Sequence, residues 1–169
     1  MRRIIIATVF ISVAFSCKED IYSTIPNSPV SYTLNLNLYP VDNQLNAGIG
    51  AYLCITQRRF ETDRLGFGGL LIVSGIGEDV VNIYVYDLAC PNEAGRDILV
   101  VPDNISKTGI PTAITAKCPK CGAVYNIVDG YKHGNEYYGY GIPQSGSKYY
   151  LRAYRVMKTV NSGEFVVMN

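Results

Sequence analysis

The chain has 169 residues, of which 48% are hydrophobic, and its 15 Lys and Arg nearly balance its 14 Asp and Glu, giving a net charge of +1. This length is enough for one domain with a single buried core and short for two. No basic block appears, so the electrostatic signature of nucleic-acid binding is absent, and we exclude nucleic acid as a partner.

The N-terminus has the pattern of a lipoprotein signal peptide. Arg2-Arg3 precede an apolar run, 4–15, whose 12 residues are fewer than the roughly 18 that a membrane-spanning helix needs. Small Ser16 and then Cys17 end the run as in a lipobox. We expect residues 1–16 to be removed and Cys17 to be lipidated, which would anchor the protein to the outer membrane, on its periplasmic or cell-surface face. The alternative is an ordinary signal peptide with an incidental cysteine.

Residues 17–29 are predicted to form the lipidated tether. The segment 22–29 is polar and contains two prolines, which favours an extended linker. The charged run 18–20 resembles the tether that directs some Gram-negative lipoproteins to the cell surface. The folded domain is expected to occupy residues 30–169.

From Val30 onward the chain predicts short strands. Tyr32, Leu34, Leu36 and Leu38 alternate with polar residues and would share one face of a half-buried strand. The composition, with 16 Gly, 14 Tyr and no Trp, suits turns and pleated surfaces better than helices. Further strands are predicted at 51–56, 69–74, 80–87, 123–127, 149–156 and 164–168, separated by turn-forming residues. The fold class is therefore predicted to be all-β, an antiparallel β sandwich or barrel.

Two cysteine motifs lie between these strands, in segments expected to be loops. The first is Cys90-Pro91-Asn92, and the second is the run 118–122, Cys-Pro-Lys-Cys-Gly. Segment 93–115 between them has the weakest pattern and is expected to form a long excursion. Asp87 and Asp129 flank the two motifs and are expected to be strand-end or turn residues.

These motifs resemble the two cluster loops of the Rieske iron-sulfur family. Residues 85–92 resemble the first loop, whose family form ends Cys-Pro-His. Residues 118–125, followed by Asp129-Gly130, resemble the second, whose form is Cys-Pro-x-His-Gly-Ser-x-Phe and then Asp-Gly. The resemblance covers residues 30–167. Three further segments match the family in the same order along the chain: the Gly-led strand 68–73, the proline loop 141–143 and the closing strand 151–156. It implies a Rieske-like β sandwich or barrel with two cysteine-bearing loops.

The chain departs from that family at both histidine positions. Asn92 stands where the first histidine is expected, and Cys121 stands where the second is expected. A Rieske centre places two histidines on one iron, but this chain has a single histidine, His133, which lies in neither loop. Ligation by two cysteines and two histidines is therefore excluded within one chain.

Cys90, Cys118 and Cys121 remain as soft ligands, with Asn92 as a poor fourth, and three outcomes stay open. The favoured one has no cofactor, because the resemblance brings Cys90 and Cys118 together and an oxidising compartment would join them or another pair in a disulfide. The second is zinc held by the three thiolates, with His133 if its loop folds back. The third is a [2Fe-2S] cluster with altered ligation by the three cysteines and either Asn92 or His133.

The remaining residues give little sign of catalysis. Cys54 lies on a predicted strand and is expected to be a small buried hydrophobe. Tyrosines are dense between 125 and 154, where exposed rings could bind sugar or peptide faces and others would enter the core. No histidine stands beside a nucleophile, and there is no phosphate-binding glycine loop.

We therefore predict that this protein is not an enzyme. The sequence predicts a monomeric, membrane-anchored lipoprotein whose degenerate cluster site belongs to a scaffold or binding module for a protein or small ligand. The alternatives are an electron carrier with a noncanonical iron-sulfur cluster and a zinc-binding domain.

Overall fold

The computed structural model describes residues 23–107 and 109–169. The predicted signal peptide, residues 1–16, and the predicted lipidation at Cys17 lie outside the described residues. No helix in the described part of the chain combines the length and the hydrophobicity needed to cross a membrane.

The fold is built almost entirely from short strands, which confirms the predicted all-β class. Helical structure in the described residues is confined to a single turn, α1 (Pro40–Asn43), followed by a 3-10 turn at Gln44–Ala47. The strands are β1 (Val30–Asn35), β2 (Tyr52–Ile55), β3 (Arg64–Leu65), β4 (Leu70–Gly75), β5 (Asn82–Asp87), β6 (Val101–Pro102), β7 (Thr115–Lys117), β8 (Val124–Asn126), β9 (Gly130–His133), β10 (Glu136–Gly139), β11 (Pro143–Ser145), β12 (Ala153–Lys158) and β13 (Glu164–Met168).

The strands form two antiparallel sheets. The large sheet is nearly closed, like a barrel, and has the order β2-β4-β5-β12-β13-β1-β3; β10 pairs with β12, and β9 pairs with β10. The small sheet has the order β11-β8-β7-β6. The first cysteine motif follows β5 of the large sheet, and the second lies between β7 and β8 of the small sheet. The two sheets therefore each supply one cysteine loop.

Burial follows the alternation expected for strands. In β1, Val30, Tyr32 and Leu34 are buried and the residues between them are not. All six residues of β4 and all six of β5 are buried, so these two strands form the centre of the core. The predicted face does not reach Leu38, which is 65% exposed, because the Asn35 side chain accepts hydrogen bonds from Asn37 and Leu38 and turns the chain.

Cys54 is exposed, which corrects the expectation that it is buried. It lies on β2, where Leu53 faces the core and Cys54 points the other way. Since all four residues of this strand, Tyr-Leu-Cys-Ile, are apolar or nearly so, the sequence pattern could not show which face is outward.

The segment before β1 packs along the domain. The Ile25 side chain is 2% exposed, and its carbonyl oxygen accepts a hydrogen bond from Arg152. The Thr24 hydroxyl donates to the carbonyl oxygen of Pro91, in the first cysteine loop. Asn169, at the other end of the chain, donates to the carbonyl of Ser28. The folded part therefore begins before Val30, within the segment that composition assigned to a tether.

Candidate metal site

The first cysteine loop starts from a buried carboxylate at the end of β5. Asp87 is fully buried and accepts four hydrogen bonds: from the backbone N–H groups of Phe67 (2.7 Å), Gly68 (2.9 Å) and Ala89 (2.8 Å), and from the Tyr154 hydroxyl (2.6 Å). This sequence position was expected to be an ordinary strand end. In the structure it fixes the backbone one residue before Cys90.

A tight turn then presents the Cys90 thiol to the interior. The Cys90 N–H donates to the carbonyl of Ile98 at 2.9 Å, and the Cys90 carbonyl accepts from the N–H groups of Glu93 and Ala94. Ala94 has a φ of 48°, in the left-handed region that non-glycine residues rarely adopt. This turn holds Cys90 with no exposed surface.

The second loop is a hairpin knuckle between β7 and β8. The Cys118 N–H donates to the carbonyl of Ala123 at 2.8 Å, and the Gly122 N–H donates back to the carbonyl of Cys118 at 3.0 Å. Gly122 has a φ of 75°, which glycine adopts without strain. An ion pair of 2.5 Å between Lys120 and Glu93 joins this knuckle to the first loop.

The two loops bring three thiols together. The Sγ atoms of Cys90, Cys118 and Cys121 all lie within 4.8 Å of one another, and those of Cys90 and Cys121 are 3.7 Å apart. Cys90 and Cys118 are buried, whereas Cys121 is partly exposed. All three are free thiols here, at distances well beyond the roughly 2.05 Å of a disulfide bond. Three cysteines that are close enough to hold one metal ion are therefore present.

Asn92 lies beside the cluster as a hydrogen-bond donor. Its Nδ2 donates to the carbonyl of Gly146 at 2.7 Å and lies 3.7 Å from the Cys121 Sγ, while its Oδ1 accepts from the Ser147 hydroxyl at 2.8 Å. Because a carbonyl can only accept, the amide NH₂ must face Gly146, which turns the oxygen away from the thiols. Asn92 therefore stabilises Cys121 and does not supply a fourth ligand in this arrangement.

Hydrogen bonding and burial shift the pKa values of Cys90 and Cys121 in opposite directions. Burial acts to raise the pKa of Cys121, but hydrogen bonds with the Ala123 N–H, Cys118, Asn92 and Cys90 outweigh it, and the pKa is lowered. Burial, with a further contribution from Cys118, raises the pKa of Cys90 to about 12. Cys121 is thus readier than Cys90 to ionise, and the outermost thiol would be the first to bind a cation.

His133 is not part of this cluster. It is exposed at the end of β9 in the large sheet, where its register partner is Glu136. Among the described residues, the only His, Cys, Asp or Glu ligand atoms that converge at this place are the three thiols. His133 is therefore not a ligand in this arrangement.

Sequence reasoning missed three neighbours of the site. Gly146 and Ser147 hold Asn92 although they lie more than 50 positions further along the chain. Tyr125 is fully buried, and its hydroxyl lies 3.8 Å from the Cys90 Sγ. No local sequence pattern marks Gly146 or Ser147 as neighbours of the site. Only Tyr125 could have been placed near the cysteines from the sequence, because it follows Cys121 by four residues on a predicted strand.

The three thiols are compatible with either a zinc ion or an iron-sulfur cluster. They supply three of the four protein ligands that a two-iron cluster takes. The two positions that carry histidine in the Rieske family hold a thiol, Cys121, and an amide turned away, Asn92. Three thiols this close together could hold one metal ion.

No family model matches this chain, and no curated protein or solved structure is similar enough to count as a match. The resemblance to the Rieske family therefore remains a prediction from the sequence motifs.

Proposed function

We propose that this protein is a lipid-anchored, non-catalytic binding module whose two cysteine loops are held together by one zinc ion. The ligands are Cys90, Cys118 and Cys121. The observation that carries this proposal is the convergence of three free thiols, with Cys90 and Cys121 Sγ atoms 3.7 Å apart. Two thiolates on one tetrahedral zinc ion, each with a Zn–S bond of about 2.3 Å, lie about 3.8 Å apart.

The distance of 3.7 Å between the Sγ atoms of Cys90 and Cys121 fits two thiolates on one ion. A disulfide bond would bring the two sulfurs to about 2.05 Å. The proposed compartment is oxidising, so thiols this close would tend to pair unless something kept them apart. A bound ion does so, and the knuckle 118–122 with its glycine turn is the kind of loop that presents two thiolates to zinc. The fourth position is left for solvent, on the exposed side of Cys121.

A structural role suits this ligand set better than hydrolysis. Three thiolates give a zinc site a net negative charge, which weakens its ability to polarise bound water. In the described part of the chain, no histidine or carboxylate joins the thiol cluster to act as a general base. When bound, the ion would tie the large sheet to the small one through the two loops.

Metal and thiol analysis of the full chain carrying Cys17→Ser tests the proposal. We expect one zinc per chain, and three thiols that react only after a chelator removes the metal. Cys54 lies outside the cluster and should react equally with and without the metal, so it serves as an internal standard. Desolvation raises the pKa of its thiol to about 11, so this reaction should be slow at neutral pH. Cys90→Ser and Cys118→Ser should lose the zinc, and the matched variant Cys54→Ser should keep it.

Two results would replace the proposal with one of its alternatives. Iron with acid-labile sulfide and visible absorption would show an iron-sulfur carrier. A metal-free protein in which two thiols are missing would show a disulfide-bonded scaffold.

The lipid anchor is tested separately. The wild-type chain, expressed in a Gram-negative host, should fractionate with the outer membrane, and its mature N-terminus should be Cys17 with a mass increase from acyl chains. Cys17→Ser should move to the soluble fraction. A wild-type protein found in the soluble fraction would contradict the anchor without bearing on the zinc site.

A further inference from the structure

A groove lined by tyrosines lies on the large sheet, and none of its lining residues belongs to the cysteine loops. It is formed by Tyr131 of β9, Tyr140 just after β10, and the segment 150–153 that leads into β12. Its volume is about 650 Å³, within the range of roughly 300–1,000 Å³ typical of small-ligand sites. Neither the cysteine site nor the core accounts for it.

One wall of the groove continues as a stack of three tyrosine rings. Tyr131 and Tyr138 are register partners on β9 and β10, and their ring centroids are 5.0 Å apart at an interplanar angle of 13°. Tyr140 also stacks on Tyr131, with centroids 5.6 Å apart at an interplanar angle of 28°. Tyr131 is 47% exposed and Tyr140 is 44% exposed. The rings therefore support one another in fixed positions while presenting exposed surface.

The groove also has hydrogen-bonding capacity. The Tyr138 hydroxyl is bound to Glu136, but no described residue is a hydrogen-bond partner of the Tyr131 or Tyr140 hydroxyl. A site that combines flat aromatic surface with such hydroxyls suits a ligand that has both an apolar face and polar edges.

Arg152 lines the groove and carries a positive charge that is fixed in place. Its two terminal nitrogens donate to the Ile25 carbonyl at 3.2 Å and to the Asn27 side chain at 2.8 Å, which immobilises the guanidinium. Its buried Nε has no hydrogen-bond partner in the described chain. Arg59 and Arg155 each have a carboxylate partner, whereas no described carboxylate lies within 4 Å of Arg152. The uncompensated charge favours an anionic ligand and disfavours a cationic one.

We propose that this groove binds a hexuronate, a pyranose sugar unit that carries a carboxylate. The C–H face of the sugar packs on the exposed ring of Tyr140, and its hydroxyls bond to the hydroxyls of Tyr131 and Tyr140. The carboxylate approaches the guanidinium of Arg152. The site is separate from the zinc site, so the two proposals stand or fall independently.

Binding to the full chain carrying Cys17→Ser tests this inference. Glucuronate and an oligogalacturonate are titrated and followed by ¹H–¹⁵N NMR, and glucose serves as the neutral comparison. We expect shifts centred on Tyr131, Tyr140 and Arg152, with glucose binding at least about tenfold more weakly. The uronate affinity should also fall as salt is added, because salt screens the charge interaction.

Three variants locate the site. Tyr140→Ala and Arg152→Gln should each weaken uronate binding about tenfold, whereas Arg58→Gln, which removes an exposed positive charge elsewhere, should not change it. Because Arg152 also holds Ile25 and Asn27, its variant could loosen the N-terminal segment; Tyr140→Ala removes an exposed ring and avoids that ambiguity. The proposal is overturned if wild type binds no uronate, if glucose binds equally well, or if Tyr140→Ala binds as wild type does.

Discussion

Replacing the buried carboxylate at the base of the first cysteine loop should strongly destabilise the domain. Asp87 is fully buried and accepts four hydrogen bonds. In Asp87→Asn, one acceptor oxygen becomes an NH₂ group, so two of the four donors face another donor. A hydrogen bond to a charged group contributes about 1.5–3 kcal/mol, and a buried donor without a partner costs about 1–3 kcal/mol. The expected loss is about 3–5 kcal/mol, a large part of a typical domain stability of about 5–15 kcal/mol.

Urea denaturation followed by circular dichroism measures this loss, with the m-value as a check that the two-state transition is preserved. Tyr154→Phe removes one of the four bonds and keeps the ring, so it should cost about 1–2 kcal/mol. Asp103→Asn changes an exposed carboxylate and should stay within about 0.5 kcal/mol of wild type. A loss of less than about 1 kcal/mol in Asp87→Asn would refute the view that this carboxylate organises the loop.

Three further predictions concern other parts of the fold. Arg59→Ala leaves the buried Asp42 carboxylate without its cation, and it should lower the free energy of unfolding by about 3–5 kcal/mol in the same denaturation assay. A variant as stable as the wild type would mean that this ion pair does not stabilise the fold. In the metal-free protein, iodoacetamide at neutral pH should modify Cys121 faster than Cys90, because the Cys121 pKa is lowered and the Cys90 pKa is raised to about 12. Peptide mass mapping measures the order of modification, and the reverse order would contradict the hydrogen bonds assigned to Cys121. Gly139→Ala would place a Cβ against the Tyr86 hydroxyl and should lower the melting temperature, at a cost of about 1–3 kcal/mol; an unchanged melting temperature would mean that the Tyr86 ring can move.

The central strands could be predicted from the sequence because their chemistry is local. The apolar runs at 69–74 and 80–87 correspond to β4 and β5, whose residues are all buried. The segment 130–145 gave no comparable signal, although it forms β9, β10 and β11. These strands mix Gly, Lys and Tyr and are partly exposed, so their pairing depends on neighbours distant in sequence more than on their own hydrophobic pattern.

The cysteine site was only partly predictable, for the same reason. The turn at 118–122 follows from its Pro and Gly, which are local signals. Local sequence could not place Cys90 in the same site, because 27 residues separate it from Cys118. Its place there was inferred from the resemblance to the Rieske family. The role of Asn92 depends on a third loop, at Gly146 and Ser147, and no spacing rule connects it to the cysteines. His133 could have joined the metal only if its loop folded back, and instead it lies exposed at the end of β9, paired with Glu136 of β10.

The contact between Thr24 and Pro91 constrains how the protein would stand on a membrane. Only seven peptide units separate Thr24 from Cys17, and a fully extended chain of that length spans at most about 25 Å. If Cys17 carries the proposed lipid, Thr24 and the first cysteine loop that it contacts would stay within about 25 Å of the lipid surface. A partner that binds this loop would then have to do so close to the membrane.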